Sequence, residues 1–380
     1  MVYRNFGKTG IKISALGFGA MRLPSNSVDG KNVLDVEESV RIIHRAFELG
    51  VNYIDSAPYY CDGESEVIVG KALKAWRADK ARERIYVSTK NPIENASGAD
   101  WLKRLEKSLK KLDLDSIDFY HMWGINWTAW EKNIDVKDGP LGAALKAKEE
   151  GLIKHISFSF HDAAENLPKL IDTGAFETML VQYNLLDRSN EAGIARAKEK
   201  GLGVVVMGPV GGGRLGAPSP TIQALLPGKA SSSAEIAMRF VLSNPAVDCA
   251  LSGMGSMAMV EENARIASNS APLSAQEMAR VNASMEENKK LEGLYCTGCN
   301  YCMPCPFGVD IPLNFRLMNY HRVYKITDYA RGEYRQIGKV DWMKGKPAGD
   351  CTECGECEAK CPQKLEIRKQ LKETAAVLGA

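Results

Sequence analysis

The chain has 380 residues, with 49 Lys and Arg against 47 Asp and Glu and a formal net charge of +2. That length suits one large domain and a small one, and the balanced charge argues against nucleic acid as a partner, since no strong positive field is there to neutralise phosphates. No apolar run reaches the roughly 18–20 residues that span a bilayer, and the opening MVYRNFGKTGIKIS has no charged-then-apolar leader, so a cytoplasmic protein with reduced thiols and no membrane partner is expected.

In chain order, a short hairpin is predicted first, 3–6 with 11–14, capping the bottom of the large domain. Eight short apolar runs then read as strands: Leu16–Gly19, Tyr53–Asp55, 85–90, 117–122, 155–159, 179–182, 204–207 and 248–251. Most are followed by an amphipathic helical pattern, as at 37–49, 64–75, 101–111 and Glu191–Lys200. The seventh is followed by a long loop, GPVGGGRLGAPSP, before a helix at 232–242. Eight strands alternating with helices predict an α/β fold, a closed parallel (β/α)8 TIM barrel over residues 1–290. An open doubly wound sheet is the alternative, but no G-x-G-x-x-G follows a first strand. In a barrel, function sits at the C-terminal ends of the strands. Asp55, Lys90, Ser159 and Gln182 stand at such ends, and Tyr60 follows in the second loop.

The segment YIDSAPYYCDGESEVIVGKAL, the strand VSTK, and then GLIKHISFSFH, VQYNLL and the EEN at Glu262 run in register along the barrel. On these motifs residues 1–290 resemble the aldo-keto reductase family. The resemblance implies an oxidoreductase acting on a carbonyl-type small molecule, with Tyr60 as proton donor. A free phenol, with a pKa of about 10, is a weak acid at neutral pH. Lys90, itself held by Asp55, would lower that value by stabilising phenolate. The alternative is a buried Asp55–Lys90 pair that organises the barrel mouth without catalysing anything. At the family's strand-four histidine this chain has Trp123. His121, two residues earlier, shares that face of the strand. It either substitutes or is an interior histidine with a satisfied hydrogen bond, and His161 is a second candidate. The resemblance also implies a nicotinamide, with Ser159 and Gln182 at its carboxamide and Gly253, Ser256, Glu262 and Asn263 in the last strand-to-helix loop. Phe160 replaces the expected asparagine, and Met207 the expected stacking aromatic. Gly253 and Met259 stand where the cations for a 2′-phosphate usually do, so a 2′-phosphate loses its charge-assisted partners. NAD(P)H therefore stays open as a cofactor. Trp101, Trp123, Trp127 and Trp130 either wall a substrate pocket or pack the core.

Eight of the ten cysteines crowd between Cys296 and Cys361, as in a metal site at the end of an enzyme-sized chain. The first run is CTGCNYCMPCP, Cys296, Cys299, Cys302 and Cys305; the second is CTECGECEAKCP, Cys351, Cys354, Cys357 and Cys361. The second has the bacterial ferredoxin spacing C-x2-C-x2-C-x3-C-P, and the first is one residue short before its fourth cysteine. Three thiolates on a tight loop grip three corners of a cubane, while the fourth reaches the other cluster. On that logic Cys296, Cys299, Cys302 and Cys361 bind one [4Fe-4S] cluster, and Cys351, Cys354, Cys357 and Cys305 the other. Zinc and a single cluster are the alternatives; zinc needs neither third cysteines at this spacing nor a closing C-P, and a single cluster would follow from the short step between Cys302 and Cys305. Helical sequence rich in aromatics separates the runs, and residues 291–380 resemble the small, mainly helical two-cluster ferredoxin modules of reductases.

A cluster passes one electron at a time and a nicotinamide two, which leaves three readings. The barrel works on its substrate with electrons passed through the clusters from a ferredoxin-like partner; or it is an NAD(P)H-dependent carbonyl reductase with structural or sensing clusters; or it is an electron-transfer protein with a non-catalytic barrel.

Overall fold

The computed structural model describes the chain apart from residues 29–30, 80–82, 94–96, 217, 229, 270–271, 294–295, 297–299 and 362–363. The strands are β1 (Tyr3–Asn5), β2 (Lys12–Ser14), β3 (Leu16–Gly19), β4 (Ser25–Val28), β5 (Lys31–Leu34), β6 (Tyr53–Asp55), β7 (Tyr86–Pro92), β8 (Ile117–Ile125), β9 (Ile153–Phe160), β10 (Thr178–Gln182), β11 (Gly203–Met207) and β12 (Cys249–Gly253). Eight of them, in the spatial order β3–β6–β7–β8–β9–β10–β11–β12, close into a parallel barrel. These are the eight predicted runs. The helices between them form for local reasons. In Val36–Glu48, Asp35 caps the first turn by accepting from the Glu38 amide at 2.9 Å, and Ile42, Ile43, Ala46 and Phe47 bury one face.

The β1–β2 hairpin leads into a plug at the N-terminal end of the barrel. Phe6 is fully buried, edge-on to Phe119 at 4.9 Å and to Tyr53 at 6.0 Å, in a cluster with Ile13, Leu180, Val205 and Cys249. Gly203 makes room for it, since a Cβ there would lie 2.3 Å from the Phe6 ring. Two features depart from the sequence reading. A second hairpin, β4–β5, follows β3, and its polar strands gave no apolar alternation to detect. Strand β8 also runs past residue 122, through an irregularity between Met122 and Ile125, where the Gly124 amide bonds the Ser159 hydroxyl oxygen at 2.9 Å.

The chain packs as two compact units, Met1–Gly211 with Ala237–Pro272, and Gly212–Ile236 with Leu273–Ala380. The first holds the barrel strands. The second is helical, with Ile311–Arg322 packed on Thr327–Tyr334 and on Ile367–Leu378. Asn314, fully buried, accepts from the Ala348 amide at 2.8 Å and donates to Lys346 O at 3.2 Å, fastening the chain just ahead of Cys351 to the first of these helices. Among the described residues no helix is long and apolar enough to cross a membrane.

Candidate active site and iron–sulfur site

At the C-terminal ends of β6–β8, strand register sets Asp55 beside Ser88 and Lys90 beside His121. Asp55 and Lys90 are each 1% exposed and form an ion pair through Asp55 Oδ2. Lys90 Nζ also donates to Ser56 O at 2.8 Å, and the Ser88 hydroxyl donates to Asp55 Oδ1 at 2.6 Å. Burial alone would depress the Lys90 pKa, but Asp55 and Tyr60 outweigh it and hold the amine above its ordinary value, as a buried ammonium.

Tyr60 opens a tight turn, Tyr60–Gly63, in which Cys61 (φ 53°) and Asp62 (φ 54°) both take left-handed backbone that L-residues disfavour. Lys111 holds the turn by donating to Gly63 O at 2.8 Å. The result is that the half-buried Tyr60 ring meets the Lys90 ammonium, 4.7 Å from the ring centre, while Tyr59 is exposed. Trp123 stands edge-on to Tyr60 at 5.8 Å and tilted against Tyr59 at 5.4 Å. Burial raises the Tyr60 pKa, and Lys90 pulls it down by charge and hydrogen bonding without cancelling the rise. At rest Tyr60 is therefore a protonated phenol, the form a proton donor needs. Cys61 beside it bonds Ala20 O at 3.6 Å, and burial pushes its thiol up, so it is a poor nucleophile.

His121 is fully buried, with Nε2 3.9 Å from Asp55 Oδ1. Its ring faces the Phe158 backbone, which acts on it as a hydrogen-bond partner, so an interior histidine held by its own barrel strands describes it as well as a substitute catalytic group does. Burial first, and the Lys90 charge second, drive its pKa down to about 3, and it stays neutral. His161 is exposed at the start of the loop after β9. Of the four tryptophans, Trp101 and Trp130 are core, packed on Tyr120 and Phe176 at 5.1 and 5.4 Å.

The groups suited to a nicotinamide lie on β9, β10 and the loop after β12. Ser159 accepts from Gly124 and keeps its own proton to donate. The Gln182 amide is seated on Gly208 (φ +64°), where a Cβ would come within 2.7 Å of Gln182 Oε1. Gly253 ends β12, and the Ser256 hydroxyl caps the helix Met257–Asn269 by accepting from the Met259 amide at 3.3 Å. Glu262 is half-buried on that helix, and Asn263 turns inward to donate to Ser252 Oγ at 3.0 Å. Sequence reasoning missed Arg22, whose side chain lies across Gly253, with Cδ 3.5 Å from where a Cβ would stand. It brings a cation to a loop that has none of its own, from so far along the chain that spacing gives no signal.

In the helical unit Cys305, Cys351, Cys354 and Cys357 line one pocket, walled by Pro306, Phe307, Val309, Ile311 and Leu371. The loop around them uses left-handed backbone at Glu353 (φ 60°) and Gly355 (φ 81°), and the Glu353 amide lies 3.4 Å from Cys351 Sγ. Soft thiolates in an apolar wall, with an N–H bond to sulfur, suit a [4Fe-4S] cubane. Among the described residues no three His, Cys, Asp or Glu are grouped to hold a single metal ion. Cys305 stands in this wall although its spacing is one residue short. Cys296, Cys302 and Cys361 are each half-buried, and Cys299 lies outside the described residues.

Residues 15–286 match the Aldo/keto reductase family, and residues 295–366 match the 4Fe-4S dicluster domain. The chain belongs to the aldo/keto reductase family. It is similar to L-galactose dehydrogenase of Arabidopsis thaliana, 28% identical over 76% of this chain and 95% of that protein. It is also similar to the uncharacterized oxidoreductase YqkF of Bacillus subtilis (strain 168), 26% identical over 75% of this chain and 97% of that one. Among solved structures, the holo form of aldo-keto reductase AKR11C1 from Bacillus halodurans aligns with a TM-score of 0.63 at 28% identity, over 75% of this chain and 96% of that one. The protein is thus an aldo/keto reductase-type oxidoreductase carrying a 4Fe-4S dicluster domain. In this chain Trp123 stands beside Tyr60, and His121 lies fully buried against Asp55.

Proposed function

We propose that the protein reduces or oxidises a carbonyl-type small molecule at the barrel mouth, with electrons passing through two [4Fe-4S] clusters that a ferredoxin-like partner charges. Residues 1–290 would be the catalytic barrel and 291–380 the cluster domain. The observation that carries this reading is the buried Asp55–Lys90 pair against the Tyr60 ring, in a chain that also gathers four cysteines in one pocket.

In this reading Tyr60 Oη gives its proton to the carbonyl oxygen as the carbon is reduced. Lys90 stabilises the phenolate left behind, and Asp55, oriented by Ser88, keeps Lys90 charged and in place. Trp123 walls the site beside Tyr60 and excludes water. Neutral His121 offers a hydrogen bond but no charge. Cys296, Cys299, Cys302 and Cys361 would hold one cluster, and Cys351, Cys354, Cys357 and Cys305 the other. The clusters would supply the two electrons singly; of the two protons an alcohol needs, Tyr60 gives the one on oxygen, and the second, together with the proton that restores Tyr60, comes from water at the barrel mouth.

A second reading is an NAD(P)H-dependent reductase with structural or sensing clusters. The Ser159 hydroxyl, the Gln182 seat on Gly208 and the Arg22 cation at Gly253 favour it. Anaerobic turnover of simple aldehydes separates the two. On the first reading activity requires a low-potential one-electron donor and vanishes when the clusters are removed. On the second, NADH or NADPH alone sustains it without them.

A further inference from the structure

The glycine-rich loop after β11 leaves the end of the barrel from which active-site loops rise in this fold. Most of it nevertheless packs with the helical unit, since Gly212–Ile236 and Leu273–Ala380 are one compact body. Two side chains fasten it there. Arg214 donates to the Tyr320 hydroxyl and lies over that ring, 5.2 Å from its centre. Ser219, fully buried, donates to Tyr324 O at 2.6 Å while accepting from the Ile222 amide at 3.3 Å. Leu215, Ile222, Leu225 and Leu226 of the segment are buried as well.

The element that receives this segment also serves the cysteines. Ile311, the first residue of the helix Ile311–Arg322, lines the pocket of Cys305, Cys351, Cys354 and Cys357, and Asn314 of the same helix clamps the chain entering Cys351. At the other end of the segment comes a hinge of glycines in left-handed backbone, Gly208, Gly211, Gly212 and Gly213. Its first member is the seat of the Gln182 amide, and its carbonyl is held by Asn184 Nδ2 at 3.1 Å.

We propose that residues 212–236 tether the loop after β11 to the cluster-bearing helices, so that loading the cysteines orders this loop and steadies the Gln182 corner of the barrel. Thiolates without their metal no longer cross-link the two cysteine runs, and a small metal domain loses order when its metal leaves. The loosened helix Ile311–Arg322 then releases Arg214 and Ser219, and the glycine hinge lets the loop swing. The consequence for a nicotinamide rests on the NAD(P)H-dependent reading; the tether itself does not.

Hydrogen exchange on the full-length protein, prepared anaerobically, tests this. Cluster-loaded protein is compared with chelator-stripped protein and with a loaded Arg214→Ala/Ser219→Ala double variant. Stripping should speed exchange across 212–226 about tenfold or more while 203–207 in β11 stays protected, and the double variant should do the same with its iron content unchanged. Unchanged protection of 212–226 in the double variant overturns the tether, as does stripping that deprotects 311–322 but leaves 212–226 protected. NADH titration of the same samples reads the consequence, with affinity expected to weaken several-fold wherever the loop loosens. A loosened loop with unchanged NADH affinity overturns the link to Gln182. If NADH binds no form at all, the nicotinamide reading fails, and the exchange data still decide the tether.

Discussion

Tyr60 and His121 flank the same buried ion pair, and burial keeps the first a protonated phenol and the second a neutral imidazole. On the proposed mechanism Tyr60 keeps its proton at rest and has Lys90 to receive the charge when the proton leaves. Tyr60→Phe should therefore cut kcat by about 10²–10⁴ with the melting temperature unchanged, in whichever assay the enzyme first turns over; full activity in the variant would remove Tyr60 from the chemistry. His121, its pKa driven down to about 3 by burial and the Lys90 charge, is neutral near pH 7. Its pKa is depressed on folding from 6.5, so its neutral burial favours the native state above that value, and the advantage is lost as pH falls from 6.5 toward 3. Urea titrations of wild type should lose stability over this interval, by up to about 1.4 kcal/mol per pH unit, with a shallower slope in His121→Gln. Equal slopes would contradict the assigned state of the histidine. That Asp55, Tyr60 and Lys90 would meet was legible from their places at two strand ends and in the second loop, and from the resemblance, which singled out Tyr60 over Tyr59. The surroundings of His121 and the arrival of Arg22 at Gly253 were not, since both depend on which groups meet across the barrel.

At the scale of elements, the barrel was legible because each strand is a short apolar run followed by an amphipathic helix. Its ends were less so. Strand β8 gains its last residues because a serine hydroxyl on β9 accepts an amide that the backbone ladder leaves over, and no strand propensity reports that. The plug under the barrel is a fit of one ring to one missing side chain. Gly203→Ala should destabilise the protein by about 1–3 kcal/mol, because Phe6 must move from its contacts with Tyr53 and Phe119. Denaturant midpoints check this, and a neutral substitution would show that Phe6 has room to shift.

For the whole molecule, the alternation of strands and helices, the resemblance of residues 1–290 to aldo-keto reductases and the cysteine spacing were enough to expect a reductase barrel joined to an iron–sulfur module. They could not reveal that residues 212–236, inserted between two barrel strands, pack with the module, because that depends on Arg214 and Ser219 finding Tyr320 and Tyr324 some hundred residues on. If Cys305 completes the ligand set with Cys351, Cys354 and Cys357, then Cys305→Ala should keep about half of the iron and lose one of two EPR-distinguishable reduced clusters. Loss of no iron would assign the fourth ligand elsewhere. The central question for the molecule is whether the clusters feed the barrel. The direct measurement is anaerobic aldehyde reduction by cluster-loaded and cluster-free protein, each supplied in turn with a low-potential one-electron donor and with NADH. Turnover from the one-electron donor, present only with clusters loaded and abolished by Tyr60→Phe, is the predicted result. Equal turnover from NADH in the loaded and cluster-free forms, with none from the one-electron donor, would contradict it.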